Sequence, residues 1–527
     1  MGQAAALDRV CPMTEQHTPG DVLSPNRKRP EAGAMEPSIQ LPATIAIGFT
    51  GHRVLEDEVQ YRKLILDFLA QRKKSALGLV YGISSVAAGG DLLFAESCIQ
   101  LELPLRILLP LPLDQFREDF DDTSWSRVEQ VLCKATSVEV AGGNQPRDAC
   151  YYECGVETVL QSRMLLALWN GAPSQGLGGT QDVVSFARGL GKPVFWLHTD
   201  TRDVQVFNEK TERELLDDPE LDFLNNLPDP PVSVESLGPE ALARAWFHKV
   251  DESAARFAPQ FRRLAAIPIL FTGAAALFSG AASWAHGFAT WLTVGTALGI
   301  LAAVLPTVLQ LNKRQVLWVR TRTAAEVCRS VLAFWSVPTP YDAVGPEVLP
   351  ELSGMLMSLN LLKMLDRGRS QATLEEFKQR YRQERVAGQI QYFSDHAARS
   401  TAQARQYRAA IWASIGLATA LNVWMFAGAH VAGSFGPGPW KHLLALGASI
   451  AFQIATVAGA LLAVNDWDRR RQHYRKMYEE LGKWDAQLEA LQTWPSLLRV
   501  AGRIERALLA ELIEWRSLLR NQRLARK

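Results

Sequence analysis

The hydrophobic pattern divides the chain into two parts. In the first part, short apolar runs rich in β-branched and aromatic residues alternate with amphipathic stretches of helical period, which predicts strands joined by helices. The apolar runs lie at residues 44–47, 79–81, 105–109, 138–140, 165–169 and 193–197. Strands and helices that alternate along a chain form a parallel sheet with helices on both faces. We therefore expect an α/β Rossmann-like parallel sheet domain over residues 41–200.

The second part contains uncharged apolar segments of membrane length. No Asp, Glu, Lys or Arg lies between Arg263 and Lys313, which leaves room for two bilayer crossings of about 20 residues and a turn at His286-Gly287. A second such region surrounds a Gly/Pro-rich loop at 431–439. The pattern predicts an all-α membrane domain with four transmembrane helices in two hairpins, at 264–285, 289–311, 409–429 and 443–464. A buried helical hairpin in a soluble protein is the alternative explanation.

Basic residues flank the outer ends of both hairpins and are scarce in their loops. Around the first hairpin they are Arg256, Arg262, Arg263, Lys313, Arg314, Arg320 and Arg322. Around the second they are Arg405, Arg408, Arg469, Arg470, Arg471, Arg475 and Lys476, whereas the loop carries only Lys441. Because Lys and Arg concentrate on the cytoplasmic side of membrane proteins, we expect both termini in the cytoplasm.

The two hairpins have similar flanking sequences, which indicates an internal duplication. An aromatic pair precedes each hairpin, and an arginine with a glutamate four residues later follows it. The aromatic pairs are Trp246-Phe247 and Tyr392-Phe393, and the charged pairs are Arg322 with Glu326 and Arg475 with Glu479. Residues four apart share a helix face, so each charged pair suits a helix that leaves the membrane. The repeat predicts two equivalent units, at 243–337 and 389–527.

The remaining segments and the composition complete the expected organisation. Five prolines and the absence of a long apolar run predict a disordered tail over 1–40, an acidic, proline-broken linker is expected at 201–242, and a cytoplasmic helical insertion at 338–388. Lys and Arg number 56 against 55 Asp and Glu, a balance that argues against a nucleic-acid binder. Six cysteines without paired spacing predict buried thiols, so we expect no metal site and no resident cofactor.

Three loops that follow predicted strands contain the candidate ligand-binding residues. The first loop contains Gly48, Thr50, Gly51, His52 and Arg53; the second contains Ser84, Ser85, Gly89, Gly90 and Asp91; the third contains Asn170, Gly171, Gly178, Gly179, Thr180 and Asp182. Glycine allows close backbone approach, a helix N-terminus favours an anion, and arginine can bind phosphate through two hydrogen bonds. One such loop is commonly a tight turn, but three at one sheet edge predict a nucleotide or phosphoribosyl ligand.

These residues carry a family resemblance. The succession GFTGHR, SSVAAGGDLLFAE, LLALWNG and GGTQDVVSFARGLGKPVFWL over residues 42–200 resembles the SLOG superfamily, which includes the LOG phosphoribohydrolases and the nucleotide-sensing domains of bacterial defence systems. The hairpin units, at 243–337 and 389–520, resemble the SLATT family of two-helix membrane effectors.

The combined resemblance implies an effector of a bacterial antiphage system of the Thoeris or CBASS-like kind. In such a system a second messenger, an ADP-ribose isomer or a cyclic oligonucleotide, binds the SLOG domain, and the membrane part then forms a pore or disrupts the bilayer, causing abortive infection. The resemblance also implies a homo-oligomer in the bacterial inner membrane and a signal-producing enzyme of the TIR or nucleotidyltransferase type.

An enzyme is the alternative, and its chemistry depends on one carboxylate. The hydrolytic LOG enzymes carry a PGGxGTxxE-type loop, whereas this chain has GLGGTQDVV. Gly178, Gly179 and Thr180 fit that pattern, but the carboxylate is Asp182, whose side chain is one carbon shorter, and Val183 follows it. Asp182 could serve in glycosidic hydrolysis or could cap its helix, and Asp91 could cap a helix or accept a ribose hydroxyl. A membrane-anchored LOG-like nucleotide phosphoribohydrolase or nucleosidase therefore stays open beside the sensor.

Overall fold

A computed structural model describes residues 38–75, 78–141, 146–174, 176–230, 238–282, 288–308, 311–337, 349–366, 372–431, 439–465 and 467–524. Nearly all of the predicted tail, the turn at His286-Gly287 and most of the second hairpin's loop lie outside these residues. The chain forms two compact units. Unit 1 comprises Met1–Lys249 and Cys328–Ala372, and unit 2 comprises Val250–Val327 and Thr373–Lys527.

Unit 1 contains a seven-stranded sheet. Its strands are β1 (Thr44–Gly51), β2 (Leu79–Ser84), β3 (Leu105–Leu109), β4 (Ser137–Val140), β5 (Met164–Trp169), β6 (Val194–His198) and β7 (Val204–Phe207). They lie in the order β4-β3-β2-β1-β5-β6-β7, and every neighbouring pair is parallel except β6 and β7. The predicted parallel sheet is confirmed, and each of the six predicted runs overlaps a strand.

Helices follow most of these strands. They are α1 (Glu58–Ser75), α2 (Gly90–Gln100), α3 (Leu113–Phe116), α4 (Asp122–Lys134), α5 (Arg147–Gln161), α6 (Thr180–Gly189), α7 (Glu212–Leu216) and α8 (Pro219–Asn225). Strands β1, β3 and β5 are buried along almost their whole length, as expected for a parallel sheet covered on both faces. Their apolar side chains, with those of α2 and α4, form the main core.

Strand order reverses at β1. From β1 the chain builds β2, β3 and β4 outward on one side, and it then returns to place β5 on the other side of β1. The segments that follow β1 and β5 therefore leave the sheet in different directions. In open parallel sheets this arrangement leaves a crevice beyond the carboxyl ends of the two strands, where ligands bind.

Most of the described residues in the predicted linker are folded. Strand β7 pairs antiparallel with β6, and α7 and α8 are capped by Thr211 and Asp218, whose side chains accept hydrogen bonds from the first turns. Lys249, only 1% exposed, donates to the carbonyls of Ile39 and Asn225 at 2.9 and 2.6 Å. Asp218 and Pro219, two of the acidic and proline residues that suggested a linker, instead cap and begin a short helix.

One helix of the expected cytoplasmic insertion belongs to the sheet unit. Helix α12 (Ser353–Leu365) is reached after α9 (Pro239–Ala282), α10 (Phe288–Val308) and α11 (Leu311–Ala333). Its Leu361 and Met364 are buried with Tyr81, Ile83 and Leu108 of the sheet. The hydroxyl of Ser358 donates to the carbonyl of Pro42. The apolar face of α12 thus completes the cover of the sheet over these strands.

Unit 2 is helical. Besides residues of α9, α10 and α11 it contains α13 (Leu374–Arg380), a π-helical segment (Tyr381–Val386), α14 (Ala387–Val431), α15 (Pro439–Asn465), α16 (Trp467–Ala490) and α17 (Trp494–Leu524). Two of its helical stretches are long and apolar enough to cross a membrane, within Leu374–Ala427 and at Leu443–Ala463. Only 6% and 22% of their most apolar windows are buried, so most of these apolar side chains face outward.

The first predicted hairpin is represented by shorter apolar stretches in the described residues. These are Ala266–Ser279 in α9 and Thr290–Leu305 in α10, separated by residues outside the description. The order of helices nevertheless repeats. Helices α9 and α14 have 44 and 45 residues, α10 and α15 have 21 and 27, and α11 and α16 have 23 and 24.

The two predicted Arg/Glu pairs form, but their surroundings differ. Arg475 contacts Glu479 at 3.0 Å with both side chains exposed, by 77% and 52%. Arg322 pairs with Glu326, whose side chain is only 8% exposed, and also contacts Asp251 at 3.3 Å. The Arg322/Glu326 pair is therefore part of a buried charged cluster, whereas the Arg475/Glu479 pair supports an exposed helix face.

The centre of this buried charged cluster is Arg385, in the π-helical segment. Its guanidinium donates to both carboxylate oxygens of Glu505 in α17, at 2.9 and 2.7 Å, and lies 3.7 Å from Glu326. The hydroxyl of Tyr381 donates to Glu505 at 2.9 Å. Glu505 is fully buried, so these bonds stand in for hydrogen bonds that its carboxylate would otherwise make to water. The cluster joins α11, the π-helical segment and α17.

We expect Leu361→Ala to lower the free energy of unfolding by about 3 kcal/mol, because it removes buried methyl groups and leaves a cavity against the sheet. Urea unfolding of the full chain in detergent measures the change. Leu190→Ala is the control, since Leu190 is 48% exposed and its truncation should change the stability by less than about 0.5 kcal/mol. Equal effects of both substitutions would contradict the packing of α12 on the sheet.

We expect Glu505→Ala to loosen α17 strongly, because it leaves Arg385 buried beside a lost partner, at a cost of about 3–5 kcal/mol. Hydrogen exchange of α17 amides in the full chain should then accelerate by about a hundredfold or more. Glu479→Ala removes an exposed partner instead and should leave exchange in α16 within about fivefold of the wild type. Unchanged exchange in α17 of the first variant would show that the cluster does not hold this helix.

Candidate functional site

A cleft of about 770 Å³ lies beyond the carboxyl ends of β1 and β5. The three loops predicted from the sequence meet there. Of the predicted residues, those that line the cleft are Thr50, Gly51, His52, Arg53, Ser85, Asp91, Asn170, Gly178, Gly179 and Thr180. The cleft is large enough for a nucleotide, since small-molecule sites commonly enclose about 300–1,000 Å³.

Backbone hydrogen bonds fix the loop after β1 between its neighbours. The amide of His52 donates to Leu168 in β5 at 3.0 Å, and the carbonyl of His52 accepts from Gly90 at the start of α2 at 2.9 Å. The imidazole Nε2 of His52 accepts from the amide of Asn170 at 3.1 Å. His52 therefore joins the ends of β1 and β5, and its Nε2 is engaged in holding the cleft together.

Asp91 is the buried carboxylate of the cleft. Only 6% of the residue is exposed, and its two oxygens accept from the amide of Gly51 at 3.2 Å and from the hydroxyl of Ser85 at 2.9 Å. Burial raises the pKa of Asp91 to about 7, although these two hydrogen bonds and the charge of Arg53 oppose the rise. The carboxyl therefore changes charge near neutral pH while it lies against a ligand-sized space.

The N-terminus of α2 approaches the first loop closely. Gly89 has a φ of 83°, and a Cβ there would lie 2.4 Å from the carbonyl oxygens of both His52 and Arg53. Any side chain at this position would push α2 away from β1. Glycine at 89 thus allows the helix and the first loop to share one edge of the cleft.

Two side chains of α6 hold the third loop. Asp182 accepts from the amide of Gly178 at 3.0 Å, and Gln181 accepts from the amide of Ser174 at 2.9 Å. Gly178 has a φ of 88° and packs so closely against α5 that a Cβ would lie 2.7 Å from the amide nitrogen of Tyr152. Asp182 itself is not among the cleft-lining residues, and its carboxylate supports the loop from within.

Four further predicted residues lie beside the cleft rather than on its surface. Gly48 lies within β1, where a Cβ would lie 3.0 Å from the side chain of Ser162, so glycine here permits close packing. The buried hydroxyl of Ser84 donates to the carbonyl of Asp91 at 3.0 Å. Gly90 is the first residue of α2, and Gly171 takes a φ of 80° in the turn after β5. These residues shape the site.

One wall of the cleft comes from α5, which the sequence analysis did not assign to the site. Its contributing residues are Asp148, Tyr151, Cys154, Gly155 and Thr158. Four of them, from 151 to 158, follow the i, i+3, i+4, i+7 spacing of one helix face. This helix directly precedes β5, and β5 lies beside β1. The i, i+3, i+4, i+7 spacing, taken together with that strand order, is the sequence signal that could have located this wall.

Arg53 lies over the aromatic ring of Tyr151, which belongs to this wall. The guanidinium carbon of Arg53 lies 4.5 Å from the centroid of the Tyr151 ring. The hydroxyl of Tyr151 donates to the carboxylate of Asp119, and the same carboxylate pairs with Arg147. Burial and this hydrogen bond raise the pKa of Tyr151 well above its ordinary value, so the phenol stays protonated. Arg53 itself is exposed.

The chemistry of the described lining suits an anionic, hydroxyl-rich ligand. The amino-terminal end of α6, the hydroxyls of Thr50 and Thr180, and Arg53 offer hydrogen-bond donors, while Asp91 offers an acceptor. In the part of the chain that the structure describes, no group of three His, Cys, Asp or Glu side chains is arranged to hold a metal ion.

The raised pKa of Asp91 predicts a stability that depends on pH. The folded protein keeps a proton that the unfolded chain, with an ordinary pKa of 3.8, has released, so the free energy of unfolding falls as the pH rises from about 4 to about 7. The complete fall is on the order of 4 kcal/mol, and about 2.5 kcal/mol of it lies between pH 5 and pH 7.5. Asp91→Asn should remove it, which urea unfolding of the full chain at pH 5 and pH 7.5 measures.

Asp148→Asn is the matched control, because Asp148 lines the same cleft but is exposed. It should keep the wild-type difference between the two pH values. A wild-type slope that survives in Asp91→Asn would contradict the assignment of this titration to Asp91.

The chain was compared with protein families and with curated proteins. No protein-family model matches the chain, and a search of curated proteins finds no match either.

Proposed function

We propose that the chain is a nucleotide second-messenger sensor and membrane effector. The observation that carries the proposal is the convergence of three loops, the N-terminus of α6, Arg53 and Asp91 on one cleft of nucleotide size. Binding groups for phosphate and for hydroxyls are present together, as a nucleotide requires. The carboxylate that a LOG-like hydrolase would use, Asp182, is hydrogen-bonded to its own loop, which favours binding over hydrolysis.

In this proposal the ligand's phosphates occupy the donor-rich side of the cleft. Arg53 supplies charge-assisted bonds, and the amides at the start of α6 supply bonds oriented by the helix dipole. The ionised carboxylate of Asp91, at the start of α2, accepts a hydrogen bond from a ribose hydroxyl. An ADP-ribose isomer or a cyclic oligonucleotide carries both groups, and no further cofactor is needed.

The helical part supplies the membrane arm of the proposal. Two outward-facing apolar stretches are long enough to span a bilayer, and the repeated order of helices supports a second hairpin formed by α9 and α10. With basic residues at the outer ends, a four-span protein of the bacterial inner membrane would have both termini in the cytoplasm. Small residues on these helices suit contacts between copies, so the effector would act as a homo-oligomer.

The biological setting follows from the SLOG and SLATT resemblance. A TIR-type or nucleotidyltransferase-type enzyme would make the messenger during phage infection, and binding would favour one arrangement of the oligomer over another. The membrane arm would then form a pore or disrupt the bilayer, which ends in abortive infection. Nucleic acid is not a partner in this proposal.

The test uses the full chain in lipid nanodiscs. The chain is incubated with ADP-ribose, its cyclic isomers, cyclic oligonucleotides and nucleoside monophosphates, and bound and released species are identified by mass. We expect one nucleotide to be retained intact. Arg53→Ala should lower its affinity by about tenfold or more, because a charge-assisted bond to phosphate is lost.

Arg202→Ala is the control for the loss of an exposed arginine. Arg202 contacts Asp57 at 3.5 Å and does not line the cleft, so its substitution should leave retention unchanged. Retention of no nucleotide by the wild type would contradict the sensor.

An enzyme remains a second candidate because of one observation. A buried carboxyl whose pKa is about 7, as for Asp91, is suited to general acid or base catalysis at neutral pH. Release of a free base and a ribose phosphate in the same mass assay would favour a nucleotide phosphoribohydrolase. Asp91→Asn and Asp182→Asn would then identify which carboxylate carries the turnover.

A further inference from the structure

We infer that Tyr151 is a stacking surface for the base of the ligand, and that Arg53 covers this surface until a phosphate draws it away. The inference rests on the proposed nucleotide binding and adds which part of the ligand the α5 wall recognises. It makes Tyr151 a specificity-determining residue, which selects nucleotides over sugar phosphates of the same charge.

The ring of Tyr151 is held in one orientation before any ligand arrives. Its hydroxyl donates to Asp119, and Arg147 pairs with the other oxygen of the same carboxylate. Arg147 also donates to the carbonyl of Gln115 at 3.1 Å, which anchors the cluster to the α3 region. A ring fixed by its hydroxyl loses little rotamer freedom when a base stacks on it.

Arg53 lies on the face of this ring and is free to exchange partners. Its guanidinium is 4.5 Å from the ring centroid, and within the described residues it forms no hydrogen bond or ion pair. An exposed guanidinium over an aromatic ring is held weakly, whereas a phosphate offers it two charge-assisted hydrogen bonds. A ligand phosphate in the cleft therefore outcompetes the ring for Arg53.

Once Arg53 binds a phosphate, the face of the Tyr151 ring that it covered is free inside the cleft. Arg53 and Tyr151 both line the cleft, and Asp91, the acceptor proposed for the ribose, lies in the same lining. Base stacking on an aromatic ring tolerates any base, because every base has a π face. The geometry therefore recognises the presence of a base, and other contacts must decide which base it is.

Calorimetry of the full chain in nanodiscs tests the inference with three probes. ADP-ribose and cyclic di-AMP carry bases, and ribose 5-phosphate has none. In Tyr151→Leu we expect the base-containing probe that binds the wild type to lose about tenfold in affinity, while ribose 5-phosphate binds as before. Tyr151→Phe keeps the ring and should stay within about threefold of the wild type. Arg53→Ala should weaken all probes, because each carries phosphate.

Tyr152→Leu is the matched control, since this neighbouring tyrosine of α5 does not line the cleft, and it should bind every probe like the wild type. Equal affinity of wild type and Tyr151→Leu for the base-containing probe overturns the stacking role and leaves the proposed function intact. Equal weakening of ribose 5-phosphate in Tyr151→Leu also overturns it, because the tyrosine would then support the cleft as a whole. Failure of every probe to bind the wild type overturns the proposed function together with the inference.

Discussion

The reversal of strand order at β1 is the constraint on which the site depends. Because β2 and β5 lie on opposite sides of β1, the chain that leaves β1 and the chain that leaves β5 diverge, and the space between them is the cleft. Hydrogen bonds from the loop after β1 cross this boundary and hold the two strand ends together. His52 illustrates the point, since its backbone bonds reach β5 and α2 while its imidazole accepts from Asn170.

Much of this cleft could be predicted from the sequence, because its three loops have a recognisable sequence pattern. Glycines after apolar runs, followed by helical periodicity, mark the carboxyl ends of parallel strands, and Gly89 and Gly178 are needed there for steric reasons. The α5 wall could not be assigned in the same way. Tyr151 and Cys154 have the spacing of an ordinary core-facing helix, and only the placement of β5 beside β1 brings that face to the ligand space.

Contacts between residues that are distant in the sequence could not be predicted either. The sequence predicted the Arg322/Glu326 pair from local spacing but contained no local signal for Arg385 and Glu505, which are 120 residues apart. Helix α12 lies in the insertion predicted at 338–388 between the two hairpin units, whereas its apolar face packs on the sheet. In both cases the contact joins segments that are far apart in the sequence, and local periodicity carries no information about such contacts. The four-span topology likewise goes beyond the two membrane-length stretches in the described residues.

The length of α14 has a mechanical consequence. At 45 residues the helix extends about 68 Å, more than twice the thickness of a hydrocarbon core of about 30 Å. A continuous helix that enters a bilayer with such an excess stands well out of it as a stiff rod. A small tilt applied at the end near the π-helical segment would become a sideways movement at the opposite end, so force could reach the bilayer without any change in secondary structure.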